Sequence, residues 1–507
     1  MFLTGFYRKI TLLLVLTCLV CASYGQVTLP KIFTSNMVFQ RNVPITIWGK
    51  SAPGNHINIL FSGNYKNVVT RVDSTWNVEF QPLPATKEPQ KLEIWSKHEK
   101  IVLDNILIGD VWLLSGQSNM EYPLGSEAHF AKEQEQLVDG RLRYFNANYI
   151  GKGIYGEKYT REALNKLNAQ EYFTGTWQES QLPEVKELSA VGYYFGKKII
   201  TETGVPIGLI NIAIGGAPIE TFISVNRLKN SKVFRKKVQG NWLYNDALPV
   251  WIRQRGMENV RNSFIYKDSL GPNHSYKPGF AYEAMVKTLL PFPIKGIVWY
   301  QGESNAQEQE RVEEYPALQK LMIQNYRSKW RQPKMPFYWV QLSSIDTINY
   351  DSHYWPPFRN NQRLLLKSIK HGGMVVSSDI GNQTNIHPSN KKDVGERLAR
   401  WALNDCYGVK MITSGPLPVQ AHYKNGKVII SFQYTGDGLK TMGNKKLLGF
   451  SINGKTPIPA IIHQDKVIIK VKEQPEYIFY GWQPFSTGNL YNSENLPAST
   501  FKLIVNP

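Results

Sequence analysis

Ser118 has the setting of a nucleophile. It stands in Gly116-Gln117-Ser118-Asn119-Met120, directly after the apolar run Val111 to Leu114. That pattern reads as a buried strand delivering a small polar turn at its C-terminal edge, where open α/β sheets do their chemistry. A helix started just after the turn would aim unpaired N–H groups and a positive dipole end at a developing oxyanion. An ordinary strand-to-loop turn of small residues has the same spelling, and this stretch alone does not choose between the two.

Two more apolar runs end in turns of the same kind. Ile207 to Ile214 ends in Gly215-Gly216-Ala217-Pro218-Ile219-Glu220, and Gly296 to Tyr300 ends in Gln301-Gly302-Glu303-Ser304-Asn305-Ala306. Glycine lets a backbone approach a ligand and point N–H groups at it. An asparagine amide can donate to an oxyanion from its side chain. Much later comes Asn385-Ile386-His387-Pro388, a histidine on a loop before a helix. Its imidazole is the natural proton shuttle near neutral pH. Alone, each also reads as a tight turn or a structural histidine.

Taken together, Ser118, Gly216, Asn305 and His387 resemble the SGNH hydrolase superfamily in kind and in order. The spellings GQSNME, GG-x-x-IE and WYQGESNA resemble something narrower, the sialate O-acetylesterase family and its carbohydrate-esterase relatives. The resemblance runs from about Asp110 to Tyr407 in short, separated motifs. It implies a nucleophile at Ser118, a general base at His387, and an oxyanion hole from the Ser118 and Gly216 N–H groups with the Asn305 amide. It also implies two-step acyl transfer from an O-acetylated sugar, with no metal and no cofactor. O-acetylated sialic acid is the first substrate implied and acetylated xylan or a similar polysaccharide the second. A carbohydrate-binding homologue without catalysis is the alternative of another kind.

One departure from the family bears on the triad. The residue two before the histidine is often aspartate there, in a D-I-H-P spelling; here it is Asn385. Asparagine cannot supply the negative charge that stabilises an imidazolium. Asp379, the nearest upstream carboxylate, is the expected third member, with a Ser–His dyad oriented by a backbone carbonyl as the alternative. Glu303 is expected to orient its own turn, and Gln117 and Asn385 to support the site.

The elements that must position these residues follow from periodicity. Besides the three strands above, Phe337 to Leu342 reads as a fourth and Gly373 to Ser378 as a fifth, ending at Asp379. Leu188, Val191, Phe195 and Ile199 recur at helical spacing, as do Leu318, Met322, Tyr326 and Trp330, and Val394, Leu398, Trp401 and Ala402. The expectation is a three-layer α/β/α SGNH-type domain with a parallel sheet over 106–408. An aromatic and arginine-rich insertion at about 224–281 reads equally as substrate loops or as a small hydrophobic core. Short alternating strands predict a β-sandwich-like module over 26–105 and a β-rich module over 409–507.

Residues 1–25 read as a secretory signal peptide: Arg8 and Lys9, an apolar run from Leu12 to Val20, then small residues. The run is too short to span a bilayer, and Val20 before Cys21 argues against a lipid anchor. The expected location is periplasmic or extracellular. Cys18 and Cys21 lie in that segment, so Cys406 remains alone and cannot form an internal bridge. Its expected role is a buried small hydrophobe. No Cys/His cluster has zinc spacing. The formal charge of +19 suits an acidic glycan, but the basic residues are scattered as on an ordinary solvated surface. That scatter and the predicted export argue against nucleic acid as a partner.

Overall fold

The computed structural model describes residues 26–261, 263 and 265–507. The expected signal peptide lies outside the described residues. Alternation builds the N-terminal strands. These are β1 (Val38–Gln40), β2 (Ile45–Lys50), β3 (His56–Phe61), β4 (Asn64–Val69), β5 (Thr75–Phe80) and β6 (Thr86–Trp95). In β2, β3 and β5 every second side chain is buried, including Ile45, Ile47, Ile57, Ile59 and Trp76. β2 pairs antiparallel with β5, and β3 with β4 and β6.

β7 (Lys100–Gly116) is 17 residues long and belongs to two neighbourhoods. Its first half pairs antiparallel with β6, and Leu107 to Gly109 lie beside β1. Its second half runs through the centre of an α/β region. The 105/106 boundary expected from the sequence falls inside this strand. One buried cluster, from Val27 to Leu417, continues across it.

After β7 come α1 (Ser118–Glu121), β8 (Leu142–Asn146), β9 (Trp177–Glu179), α2 (Ala190–Thr203) and β10 (Ile207–Asn211). Then follow α3 (Val250–Val260), β11 (Gly296–Tyr300), α4 (Gln309–Lys329) and β12 (Phe337–Val340). The region closes with α5 (Trp355–Leu364), β13 (Gly372–Val375) and α6 (Lys392–Tyr407). The strand order is β9-β8-β10-β7-β11-β12-β13, parallel except for β9. The five strands read from the sequence are β7, β10, β11, β12 and β13. They are buried on both faces, which is why they read as apolar runs rather than as alternation.

Large aromatics show what each face meets. Trp112 packs on Phe195 of α2 at 5.1 Å and on Tyr338 at 5.8 Å, and Tyr338 lies beside Trp401 of α6. Trp299 donates to Tyr315 of α4, and Trp339 to the Gln362 carbonyl of α5. Trp299 and Trp339 are register partners, so α4 and α5 share the face away from α2 and α6. Each such buried side chain contributes roughly 1.5–3 kcal/mol. Ser189 caps α2 by accepting from the Gly192 N–H at 3.1 Å, and its hydroxyl donates to the Met120 carbonyl at 2.6 Å. The same residue therefore starts the helix and ties it to the turn that carries Ser118.

A seven-stranded sheet follows, opened by the hairpin Leu417–Lys424 and Lys427–Gln433 around Asn425-Gly426. It has its own core, with Ala421, Val428, Ile430, Ile469 and Phe501. The buried Arg359 of α5 reaches it through the Gly481 carbonyl at 3.1 Å. Cys406 is half-buried, and burial pushes its thiol up to about 11. Among the described residues no helix is long and apolar enough to cross a membrane.

Candidate active site

Three strand ends meet at one edge of the sheet. The Ile214 N–H donates to the Gly116 carbonyl at 3.0 Å, and the Gln117 N–H to the Tyr300 carbonyl at 2.9 Å. The turns after β7, β10 and β11 therefore leave side by side. Side chains then stitch them together. Gln117 Oε1 accepts from the Gly302 and Ser304 N–H groups. The Ser304 hydroxyl donates to the Gly216 carbonyl at 2.8 Å, and Gln301 Nε2 to the Ala217 carbonyl at 3.2 Å. These are local reasons for the polar spelling of the turns: each small or amide residue satisfies a neighbour's backbone.

Ser118 is the first residue of α1, so its N–H has no intrahelical acceptor. Its Oγ lies 2.7 Å from His387 Nε2. The pair opens on a cavity of about 290 Å³ walled by Tyr122 and Tyr155, with Glu121, Glu187 and Lys152 as its charged groups. Glu121 is held by Lys152 at 3.0 Å and by the Tyr149 hydroxyl at 3.2 Å. Burial, and then the Lys391 ammonium, hold the His387 imidazole below its usual value of 6.5. A hydrogen-bonded serine beside a mostly neutral imidazole is an arrangement that general-base and nucleophilic chemistry can use.

Gly216 has φ +70, a conformation that strains any other residue. A Cβ there would also meet the Tyr276 hydroxyl and the Trp251 ring. The Gly216 N–H has no acceptor among the described residues. Tyr276 is the link to the insertion: its hydroxyl donates to the Gly215 carbonyl at 2.9 Å. Trp242, His274 and Tyr276 are buried together there, and burial drives His274 down to about 3. Lys277 is buried against Asp268, and Arg253 pairs with Asp246. The inserted aromatics thus form a small core that props the glycine turn. Arg255 lies over the Tyr155 ring at 5.8 Å and pairs with Glu258 at 3.2 Å.

Asn305 is fully buried. Its Oδ1 accepts from the Ile219 N–H at 3.1 Å and from Gln301 Nε2 at 2.8 Å, and its Nδ2 donates to Glu220 at 3.0 Å. One amide hydrogen is left for another acceptor. Burial alone would raise Glu220, but the Lys237 ammonium, with hydrogen bonds from it and from Asn305, brings it below the usual carboxylate value.

Asp379 is not brought to His387, and the expectation of a triad carboxylate there is corrected. Both its oxygens are taken by the Arg397 guanidinium, at 2.8 and 2.7 Å, and by the Tyr491 hydroxyl at 3.0 Å. Arg397 sits on α6 and Tyr491 in the C-terminal region, so the charge at the end of β13 is spent on joining elements. Asn385 does not reach the imidazole either: its Oδ1 accepts from the His387 backbone N–H at 2.8 Å, an Asx turn that shapes the loop. His387 Nδ1 has no hydrogen-bond partner among the described residues. Glu303 accepts from Asn119 Nδ2 at 2.6 Å, and burial raises its carboxyl. Glu121, Asn119, Glu220, Tyr155 and Lys391 were given no role from the sequence. Asn119, Glu121 and Glu220 sit inside the quoted motifs, which was their one available signal.

Known esterases resemble this chain in sequence and in fold. Residues 272–404, the stretch holding Asn305 and His387, match the family model described as carbohydrate esterase, sialic acid-specific acetylesterase. The chain is 26% identical over 417 residues to a sialate O-acetylesterase of Rattus norvegicus, covering 73% of this chain and 72% of the relative. It is 25% identical over 430 residues to the one of Homo sapiens, covering 79% and 75%. A solved carbohydrate acetylesterase from Xanthomonas citri superposes with a TM-score of 0.76 at 28% identity, over 94% of this chain and 99% of that one. The chain is therefore similar to sialate O-acetylesterases and carbohydrate acetylesterases, carries the matched esterase stretch at 272–404, and is a carboxylic ester hydrolase.

Proposed function

We propose that the protein is an exported esterase that removes O-acetyl groups from sugars, with O-acetylated sialic acid as the first substrate. It acts through Ser118 and His387 on a three-layer α/β/α SGNH-type domain. The observation that carries the reading is the 2.7 Å contact of Ser118 Oγ with His387 Nε2 at a sugar-sized cavity. His387 takes the Ser118 proton as Oγ attacks the acetyl carbonyl. The tetrahedral oxyanion is held by the Ser118 and Gly216 N–H groups and the free Asn305 amide hydrogen. Collapse breaks the sugar–oxygen bond to the acyl carbon, and His387 returns the proton to the leaving hydroxyl. Water then attacks the acyl-serine with His387 as base, and acetate leaves. With Asp379 and Asn385 engaged elsewhere, the reacting pair is a dyad.

A second reading, a neutral acetylated polysaccharide such as xylan, is favoured by one observation. Glu121 and Glu187 line the cavity, and Lys152 is already paired to Glu121. A substrate carboxylate would have to compete for that lysine. The experiment is acetate release from O-acetylated sialic acid, with acetylated xylan in parallel. Release from the first supports the sialate reading. Release from xylan alone keeps the mechanism and discards that substrate. Release from neither substrate, nor from an activated acetate ester, sinks the esterase reading.

Two outcomes follow from the geometry. Because His387 is held below 6.5 by burial and by Lys391, its basic form persists into mildly acidic solution. The acid limb of kcat/KM should therefore lie below pH 6.5, as a pH–rate profile on an activated acetate ester will read; a limb above 6.5 contradicts it. Gly216→Ala keeps the N–H but puts a Cβ against Tyr276 and Trp251 at a strained positive φ, so it should shift that donor and lower kcat by up to roughly a hundredfold, the scale for one oxyanion donor, with KM changing far less. Wild-type kcat in that variant would overturn the requirement for a glycine at this turn.

A further inference from the structure

Asn119, the residue after the nucleophile, is buried and has every polar group of its amide engaged. Its Oδ1 accepts from the Lys391 ammonium at 2.5 Å. Its Nδ2 donates to Glu303 Oε1 at 2.6 Å and to the Ile386 carbonyl at 3.0 Å. A flipped amide would put NH2 against an ammonium and an oxygen against a carboxyl and a carbonyl, so the network admits one orientation. Ile386 precedes His387 and Lys391 follows it by four residues. One amide therefore grips the histidine loop on both sides while its own backbone carries Ser118.

We propose that Asn119, with Lys391 and Glu303 fixing its amide, is a positioning residue that clamps the His387 loop onto the nucleophile turn. It supplies by geometry the orientation that a carboxylate supplies to the imidazole in a Ser-His-Asp triad. The inference rests on the reading of Ser118 and His387 as the reacting pair. Lys391 is itself fully buried, against the Tyr122 ring at 4.8 Å and the Tyr300 ring at 5.7 Å. Burial, only partly offset by Glu303 and Glu127, lowers its ammonium to about 7. The other charged groups facing His387 are Glu121, Glu187 and Lys152 across the cavity. Lys391 is the one that touches the clamp.

The test is steady-state kinetics on 4-nitrophenyl acetate over a pH series. Folded Asn119→Ala should lose about a hundredfold in kcat, the scale of a misplaced reacting group, with KM within about twofold. Lys391→Met should move the acid limb of kcat/KM to higher pH, because the charge that depresses His387 is gone. Glu303→Gln, which keeps an acceptor for Nδ2, should retain at least about tenfold more activity than Glu303→Ala. If Asn119→Ala does not fold, the Lys391 and Glu303 variants decide. Unchanged kcat in Asn119→Ala, a loss confined to KM, or an unmoved acid limb in Lys391→Met overturns the clamp. Ser118→Ala separates the two layers: if it stays active, the reacting pair itself is wrong; if it is dead while Asn119→Ala is normal, only the clamp is wrong.

Discussion

Ser118→Ala will leave a folded protein whose acetyl ester hydrolysis is lower by about 10⁴- to 10⁶-fold in kcat, the scale of removing a nucleophile that acts as a unit with its base. Stability should hardly change. Ser118 is half-buried, and the hydrogen bond its hydroxyl makes is the one to His387. Alanine keeps the backbone that starts α1 and the N–H assigned to the oxyanion. The loss therefore isolates the covalent path. His387→Ala should fall by a similar factor, and the double variant no further, because neither group can act without the other. Acetate release from the sugar substrates, with circular dichroism as a check on folding, measures this. More than a hundredth of wild-type kcat in folded Ser118→Ala would place the nucleophile elsewhere.

Asp379→Ala should do the reverse, costing stability rather than chemistry. The carboxylate forms a buried bidentate pair with Arg397 and accepts from Tyr491, and removing it leaves the buried guanidinium to the Val376 carbonyl at 2.7 Å and the more distant Asp393 at 3.8 Å. Breaking such a pair from one side costs roughly 3–5 kcal/mol. The Tyr491 contact goes too, so the docking of the C-terminal region onto α6 loosens. Urea unfolding followed by tryptophan fluorescence reads the loss, and kcat at a temperature well below the transition should stay within about threefold of wild type. If Asp379 were the triad carboxylate, kcat would instead drop by about 10⁴-fold, the scale seen when such a residue is neutralised. The two readings differ by orders of magnitude in one assay.

This pair of residues also marks where sequence reasoning reaches its limit. Ser118, Gly216 and Asn305 each follow an apolar run in a short turn, and a buried parallel strand announces itself by that run; singling them out together with the loop residue His387 took the resemblance of their spellings and order to a known family. The five central strands and the helices on Leu188–Ile199, Leu318–Trp330 and Val394–Ala402 were legible for the same reason: burial writes a period into the chain. α3 and α5 were not anticipated, since Arg, Gln, Asn and Pro interrupt their apolar faces. Nor did the chain announce that one strand, β7, would run unbroken from the N-terminal sheet into the centre of the α/β sheet.

Partnership among charges was decided by the tertiary structure alone. From the sequence, Asp379 was the nearest carboxylate upstream of His387; in space it faces Arg397, 18 residues on, and Tyr491, 112 residues on. Lys391 and Glu303 are unremarkable letters, yet the fold buries both against Asn119. The aromatic insertion read equally as substrate loops or as a core, and packing made most of it a core. Apolar periodicity is a property of neighbours along the chain, so the sequence by itself determined the central strands and the turns that follow them, Ser118 among the turn residues. A buried ion pair or amide contact is a property of neighbours in space, set once distant segments exclude water between them, and so only the tertiary structure decided where Asp379, Asn119, Lys391 and Glu303 find their partners.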